Sequence, residues 1–322
     1  MTLKISTAPH MNAKQTTRNI MLDVIIALIP TSAVGILFFG LNALLVILTS
    51  VAGCVVCEYL ICRYLMKTNT TTGDLSAIIT GLLLAFNLPS NIPLWIVLIG
   101  CFVAIAITKM AFGGLGRNLF NPALIGRVFL FISFPVQMTS WPLPNMRDFM
   151  NVDIQTGATT LGILNSKGEI SLIPSYWDML IGNIGGCIGE VSAVALLLGF
   201  AYLLYRKVIR WHIPVYYMGT VFIIMSCLYF FDKKLELDPV LHLLSGGLVL
   251  GAIFMATDYV TSPMSKRGQI IFAIGCGILT VLIRCFGSYP EGVSFAILIM
   301  NAFTPLIDRY TAPRVFGMGK RK

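Results

Sequence analysis

Long apolar runs separated by short polar stretches constrain this chain more than any other feature. Ten of them lie near residues 20–40, 41–62, 74–89, 92–111, 120–138, 177–205, 212–231, 239–257, 269–287 and 291–308. Most approach the roughly 20 helical residues that cross the hydrocarbon core of a bilayer. Only 11% of the residues are charged, whereas a soluble domain averages about a quarter. The sequence therefore predicts an all-α integral membrane protein with about ten transmembrane helices.

The basic residues are distributed unevenly between the connections of these runs. If the N-terminus lies inside, 17 lysines and arginines fall on that side and 4 on the other. Because cytoplasmic loops are enriched in basic residues, this asymmetry predicts that both termini are cytoplasmic. It also accounts for the net charge of +9 without a nucleic-acid partner.

A weak internal repeat relates the two halves of the chain. Residues 80–85 resemble 250–255, and each stretch precedes a proline-containing break, an apolar run and a Phe-Gly pair. Units of five spans have odd parity, so two successive units have inverted topology, and such repeats often contain interrupted helices. The predicted division is a cytoplasmic leader at 1–19, five-helix repeats at 20–138 and 177–308, an extracytoplasmic loop at 139–176 and a cytoplasmic basic tail at 309–322.

The predicted extracytoplasmic loop contains Asp-Ile-Gln-Thr-Gly-Ala-Thr-Thr at 153–160. Gly157 and Ala158 leave the backbone uncrowded, so the Thr159 hydroxyl is accessible to another macromolecule. On composition alone this is a surface turn, since short motifs have low specificity. The pattern also resembles the acceptor site at which bacterial flavin transferases esterify FMN onto the last threonine, which is Thr159 here.

A second informative stretch is Gly-Gly-Leu-Gly-Arg-Asn-Leu-Phe-Asn-Pro-Ala at 113–123. Its glycines allow close approach of the backbone to a ligand, and Asn118 and Asn121 offer amides able to bind the pyrimidine edge of a flavin. Pro122 suits the first turn of a helix, whose amide end favours an anion. A tight helix–helix turn and a noncovalent flavin site both remain open as interpretations.

These two stretches together resemble a known pair of homologous proteins. They are the D subunit of the Rnf ferredoxin:NAD oxidoreductase and the B subunit of the sodium-pumping NADH:quinone reductase. Residues 185–192 (Gly-Gly-Cys-Ile-Gly-Glu-Val-Ser) and the Ser-x-x-Pro-His opening at 6–10 share the likeness, which runs essentially end to end. The short leader favours the Rnf protein.

The resemblance implies a covalent FMN on Thr159, attached by a flavin transferase, and a second, noncovalent flavin such as riboflavin. It implies partner subunits of the Rnf A, B, C, E and G type in the lipid of a bacterial inner membrane, with Thr159 on the periplasmic side. The predicted function is a flavin-carrying subunit of a complex that moves electrons between ferredoxin and NAD while translocating Na⁺ or H⁺. Tethering the carrier keeps its local concentration high.

Two other functions remain open at this point. One is a secondary transporter or channel of inverted-repeat type for a small solute, and the other is the homologous quinone reductase protein. The sequence contains no P-loop and no catalytic triad, its eight cysteines lie in or beside apolar runs, and its three histidines are scattered. We therefore predict no catalytic side chain and no metal site.

Several ionisable residues fall in or near the apolar runs. A charge at the centre of a spanning helix costs on the order of 2.5–3.5 kcal/mol by insertion scales. Asp23, Glu190 and Arg127 are therefore predicted to pair internally or to line an ion path. Glu58 and Asp258 lie near the ends of their runs and are expected to reach water.

Overall fold

A computed structural model describes residues 16–68, 70–144, 156–165, 173–190, 192–232, 238–287 and 291–312. Three helical segments are long and apolar enough to cross a membrane, namely Thr17–Leu65, His212–Phe231 and Lys266–Phe286. Shorter apolar helices surround them. Most of the predicted leader, residues 153–155 of the loop motif and most of the basic tail lie outside the described residues.

Thirteen α-helices occur in the part of the chain that the structure describes. They are α1 (Thr17–Leu60), α2 (Ser76–Phe86), α3 (Leu94–Phe102), α4 (Pro122–Ser133), α5 (Pro135–Met138), α6 (Thr160–Asn165), α7 (Tyr176–Ile181), α8 (Ala193–Tyr205), α9 (His212–Asp232), α10 (Pro239–Leu244), α11 (Leu248–Leu250), α12 (Lys266–Phe286) and α13 (Val293–Thr311). Wider π-helical turns continue α1, α3 and α11 through Ile61–Leu65, Val103–Met110 and Gly251–Met255. A 3-10 turn covers Thr72–Asp74, and two short strands, β1 (Trp141–Pro142) and β2 (Thr156–Gly157), pair antiparallel.

Helix α1 is interrupted near its middle and is long enough for two spans. Its 44 residues would measure about 66 Å at ~1.5 Å per residue, roughly twice the hydrocarbon thickness of a bilayer. Gly40 interrupts it with φ 65° and ψ −149°, a conformation that glycine tolerates and side-chain-bearing residues avoid. The interruption lies at the boundary predicted between the first two apolar runs.

The apolar run at 177–205, predicted as one segment, is not one continuous helix. Helix α7 ends at Gly182 with φ 117°, and α8 begins only at Ala193. The glycine-rich chain between them packs against the break after α2, where the amide of Gly189 donates to the carbonyl of Phe86 at 2.9 Å. A Cβ on Gly189 would lie 2.3 Å from the Cβ of Phe86, so only glycine permits this approach.

Other predicted runs are interrupted as well. The run at 239–257 breaks between α10 and α11 at Gly246 and Gly247, whose φ angles are 67° and 64°. Helix α2 ends at Phe86 before an irregular stretch, and α4 ends before Pro135. Interrupted helices are therefore present, while the count of ten spans and the repeat stay predictions.

Two apolar cores hold these elements together. The larger one joins side chains from α1 to α4 with others from α8, α9, α12 and α13. The smaller one consists of Leu161, Leu164, Met179, Ile184 and Leu241. Because it packs α6 against α7 and α10, the smaller core fixes the helix that follows Thr159.

Candidate functional site

Thr159 stands between a strand and a helix, in a position with defined geometry. Gly157 pairs with Trp141 across the two short strands, and a Cβ on it would lie 2.9 Å from Leu143. The hydroxyl oxygen of Thr159 accepts a hydrogen bond from the amide of Gly162 at 3.1 Å, at the start of α6. The side chain is half-buried. The strand was not predicted, but the accessible hydroxyl was.

The threonine cavity, as we name it, is a space of about 260 Å³ onto which Thr159 opens. Its walls include Arg127, Phe131, Trp141, Thr159, Glu291 and Phe295. The rings of Phe131 and Phe295 meet edge to face with centroids 6.5 Å apart. This size is near the lower limit of small-molecule sites, and largely apolar walls with a few polar groups are typical of them.

Arg127 is the centre of a buried charged cluster at this cavity. Its Nη1 donates to Asn87 Oδ1 at 2.9 Å and to Ser294 Oγ at 2.8 Å. Its Nη2 donates to Glu291 and lies 3.5 Å from Glu190 Oε1. Because the arginine side chain is only 5% exposed, these partners must compensate its charge. The internal pairing predicted for Arg127 and Glu190 is therefore confirmed.

Two further predictions about ionisable residues have opposite outcomes. Asp23 is buried and paired, as one of its two predicted roles requires, but its partner Arg206, with Nε 3.2 Å from Asp23 Oδ1, is half-exposed. Glu58 does not reach water as expected, because its side chain is 0% exposed and lies 2.6 Å from Lys109 Nζ. Asp258 is partly exposed, in agreement with its position at the end of a run.

Asn118 and Asn121 line a different cavity of about 100 Å³, which we name the asparagine cavity. Asn121 caps α4, because its Oδ1 accepts from the amide of Ala123 at 3.1 Å and its Nδ2 donates to the carbonyl of Met255 at 3.3 Å. Asn118 donates to the carbonyl of Phe120 at 3.1 Å. The structure thus brings the two amides to one wall, and α4 separates them from Thr159.

Sequence inspection missed several residues of these sites, among them Glu291 and Lys109. Glu291 begins the last apolar run, and Lys109 was counted among the cytoplasmic basic residues. The ligating atoms of Cys187, Glu190 and Glu291 all lie within 4.8 Å of one another. The one signal of this group in the sequence was that Glu190 follows closely after the Gly-Gly motif at 185–186.

The residues around the threonine cavity fit a flavin attached to Thr159. Thr159, which has the hydroxyl needed for a phosphoester, lines the cavity, and aromatic side chains offer flat apolar surfaces for a fused ring system. Arg127 also lines the cavity, with its charge already paired to Glu291 and Glu190. We find no conflict between this donor set and the covalent cofactor that the loop motif implies.

Comparisons with known proteins extend over nearly the whole chain. A family model described as the NQR2, RnfD, RnfE family matches residues 4–317. The D subunit of the Na(+)-translocating ferredoxin:NAD(+) oxidoreductase complex of Acetobacterium woodii is 47% identical over 324 residues, covering 100% of this chain and 98% of the relative. Its proton-translocating counterpart from Clostridium ljungdahlii is 48% identical, covering 97% and 96%. The D subunit of the ion-translocating oxidoreductase complex of Stutzerimonas stutzeri is 40% identical, covering 94% and 92%. The chain belongs to the NQR2, RnfD, RnfE family.

Proposed function

We propose that this chain is the D subunit of an ion-translocating ferredoxin:NAD oxidoreductase complex. The observation that carries the proposal is the position of Thr159, which lines an aromatic-walled cavity together with a buried arginine. The relatives named as D subunits cover almost the full length of the chain, which supports the same conclusion. A function as a solute transporter does not account for the Thr-Gly-Ala-Thr loop.

In this proposal Thr159 carries FMN through a phosphoester bond formed by a flavin transferase. The flavin supplies one-electron chemistry, while the protein supplies position and electrostatics. Phe131, Trp141 and Phe295 would contact the ring system. The second, noncovalent flavin, such as riboflavin, would bind at the asparagine cavity near Asn118.

The proposed membrane arrangement has ten spans in two inverted repeats of a bacterial inner membrane. One break follows α2 in the first half of the chain, and another follows α10 in the second half. Inverted repeats often contain an interrupted helix in each unit. The asparagine cavity is lined by Ile20, Lys109 and Ile209, which adjoin basic connections, whereas Thr159 lies near the other end of α4. Cytoplasmic termini and a periplasmic Thr159 agree with that separation.

Partners of the Rnf A, B, C, E and G type and a Na⁺ or H⁺ gradient belong to the same proposal. Aliphatic and aromatic side chains cover much of the outer surface, including Leu37, Ile132, Phe230 and Tyr310, each more than 60% exposed. Such a surface suits lipid or neighbouring spans rather than water. The surface by itself does not distinguish one partner from another.

Substitution of Thr159 tests the proposal directly. Thr159→Ala should abolish the covalent flavin because no oxygen nucleophile remains, whereas Thr160→Ala, the adjacent control, should keep it. Thr159→Ser should retain part of the modification. In-gel fluorescence of the denatured protein and the mass of the 139–176 segment provide the measurement. A fluorescent Thr159→Ala protein that still carries the FMN mass would refute the assignment.

A further inference from the structure

We propose that Glu190 and Glu291 form a binding site for one small monovalent cation, Na⁺ or a proton, in a cavity beside Thr159. This cavity, which we name the small cavity, measures about 20 Å³. Both glutamates line it together with Thr159, Thr160 and Ser245. About 10–15 Å³ is enough for one water-sized species, so the small cavity has room for a single ion and not for an organic solute.

Glu190 provides the first independent indication of a ligand. Its side chain is 6% exposed, and its buried Oε1 accepts no hydrogen bond from the residues that the structure describes. Buried polar atoms are usually satisfied, and an exception points to a bound water or ion. A Cβ on Gly247 would lie 2.4 Å from this oxygen, and Gly247 has φ +64°. The glycine turn thus holds its backbone directly against the carboxylate.

The geometry of Arg127 explains why it does not satisfy this oxygen. Its Nη1 donates to Asn87 and Ser294, and its Nη2 lies closest to Glu291. Glu190 Oε1 is left at 3.5 Å, within ion-pair range and beyond a good hydrogen bond. One guanidinium is thus shared by two carboxylates, and the second carboxylate is the less well bonded.

The remaining charged and titratable groups around Glu190 are Cys187 and Arg284. The Cys187 thiol on the same turn donates to the carbonyl of Asn87 at 3.3 Å. Arg284 of α12 directs its Nη atoms to the carbonyl oxygens between α10 and α11 and its Nε to the Glu291 carbonyl. The positive charge of Arg284 interacts with Glu190 electrostatically, without a direct bond. Two guanidiniums already balance two carboxylates, so a monovalent cation disturbs the local charge less than a divalent one.

The position of the small cavity links it to the proposed redox site. Thr159 and Glu291 line both the small cavity and the threonine cavity. The cation would therefore lie one side chain away from the group attached to Thr159. The inference rests on the proposed function only in assigning the cation to ion translocation, because binding itself uses residues that do not need the flavin.

Thermal unfolding of the purified full-length protein tests Na⁺ binding. NaCl should raise the Tm saturably above choline chloride of equal ionic strength, because a ligand that binds only the folded state stabilises it. Glu190→Gln should remove the difference, and Asp178→Asn, a carboxylate on α7 away from the small cavity, should keep it. Protein produced in a host without the flavin transferase should also keep it, so that failure of the flavin proposal and failure of this one are distinguishable.

If NaCl and choline chloride act alike, infrared spectroscopy tests proton binding. A protonated carboxyl band at neutral pH that disappears in Glu190→Gln and persists in Asp178→Asn would identify the cation as a proton. If Glu190→Gln does not fold, Glu190→Asp serves in its place and should weaken Na⁺ binding or shift the band. Absence of both a specific Na⁺ effect and a Glu190-dependent band would overturn the proposal and leave Glu190 as a structural ion pair.

Discussion

Two buried charged groups near opposite ends of the spanning helices differ in how completely they are paired. In the first, Lys109 Nζ lies 2.6 Å from Glu58 Oε2 and donates to Ser76 Oγ at 2.6 Å. Thr71 donates to the other carboxylate oxygen at 2.5 Å. One cation therefore meets one anion, and both carboxylate oxygens have donors.

In the second group, Arg127 is shared by Glu190 and Glu291, and one oxygen of Glu190 has no donor among the described residues. The paired group adjoins the asparagine cavity, and the shared group adjoins two cavities at Thr159. A fully satisfied buried pair favours a structural role, because removing either partner leaves an uncompensated charge. An incompletely satisfied group retains capacity for a ligand. The completeness of ion pairing therefore distinguishes a structural charged group from a candidate binding site in this protein.

The largest expected effect comes from breaking the satisfied pair. Lys109→Met should destabilise the protein by about 3–5 kcal/mol because Glu58 would remain charged and buried. Loss of folded yield and a lowered Tm in detergent would report it. Arg206→Met is the matched control, because Arg206, which pairs with Asp23, is half-exposed and water can replace it. Equal losses in both variants would remove the distinction drawn between buried and exposed pairs.

A smaller effect is expected at the asparagine cavity. Asn121→Ala removes the cap of α4 and should cost about 0.5–2 kcal/mol, measured as a lowered Tm. Asn118→Ala removes only a local hydrogen bond and should change stability less. Both should lower the noncovalent flavin recovered by extraction while the covalent flavin on Thr159 stays. Unchanged noncovalent flavin in both variants would exclude the asparagine cavity as its site.

The least perturbing test concerns which end of the molecule faces which compartment. A reporter fused after Lys322 should be active in the cytoplasm, and one inserted near Asn165 should be active outside. Neither fusion touches a buried residue of the two charged groups, so stability should be unaffected. An extracytoplasmic C-terminus would reverse the assignment of both ends and contradict the periplasmic position of Thr159.

Much of the class and part of the site followed from sequence. Low charge and long apolar runs indicated a helical membrane protein, because a helix satisfies its backbone hydrogen bonds internally in lipid. The Thr-Gly-Ala-Thr and Gly-Gly-Leu-Gly motifs indicated the family that the comparisons confirm. The kink at Gly40 also agrees with the boundary predicted there.

Hydropathy failed where the chain folds against itself. The run at 177–205 is as apolar as a spanning helix, yet its glycines let the backbone bond to the break after α2 instead of continuing as a helix. Hydropathy measures how favourably a segment transfers from water into an apolar environment. It does not indicate whether lipid or protein provides that environment. Glycine-rich apolar stretches are therefore ambiguous until their neighbour is known.

The sequence by itself determined the membrane class, the family motifs and Thr159 as the attachment candidate, since each depends on local residue types. Tertiary structure alone decided that Glu58 meets Lys109 and that Arg127 meets Glu291, 51 and 164 residues away along the chain. It also decided that one oxygen of Glu190, beside Thr159, has no donor among the residues that the structure describes. The physical reason is that the cost of a buried charge depends on the donors packed around it, and those donors come from helices distant in sequence.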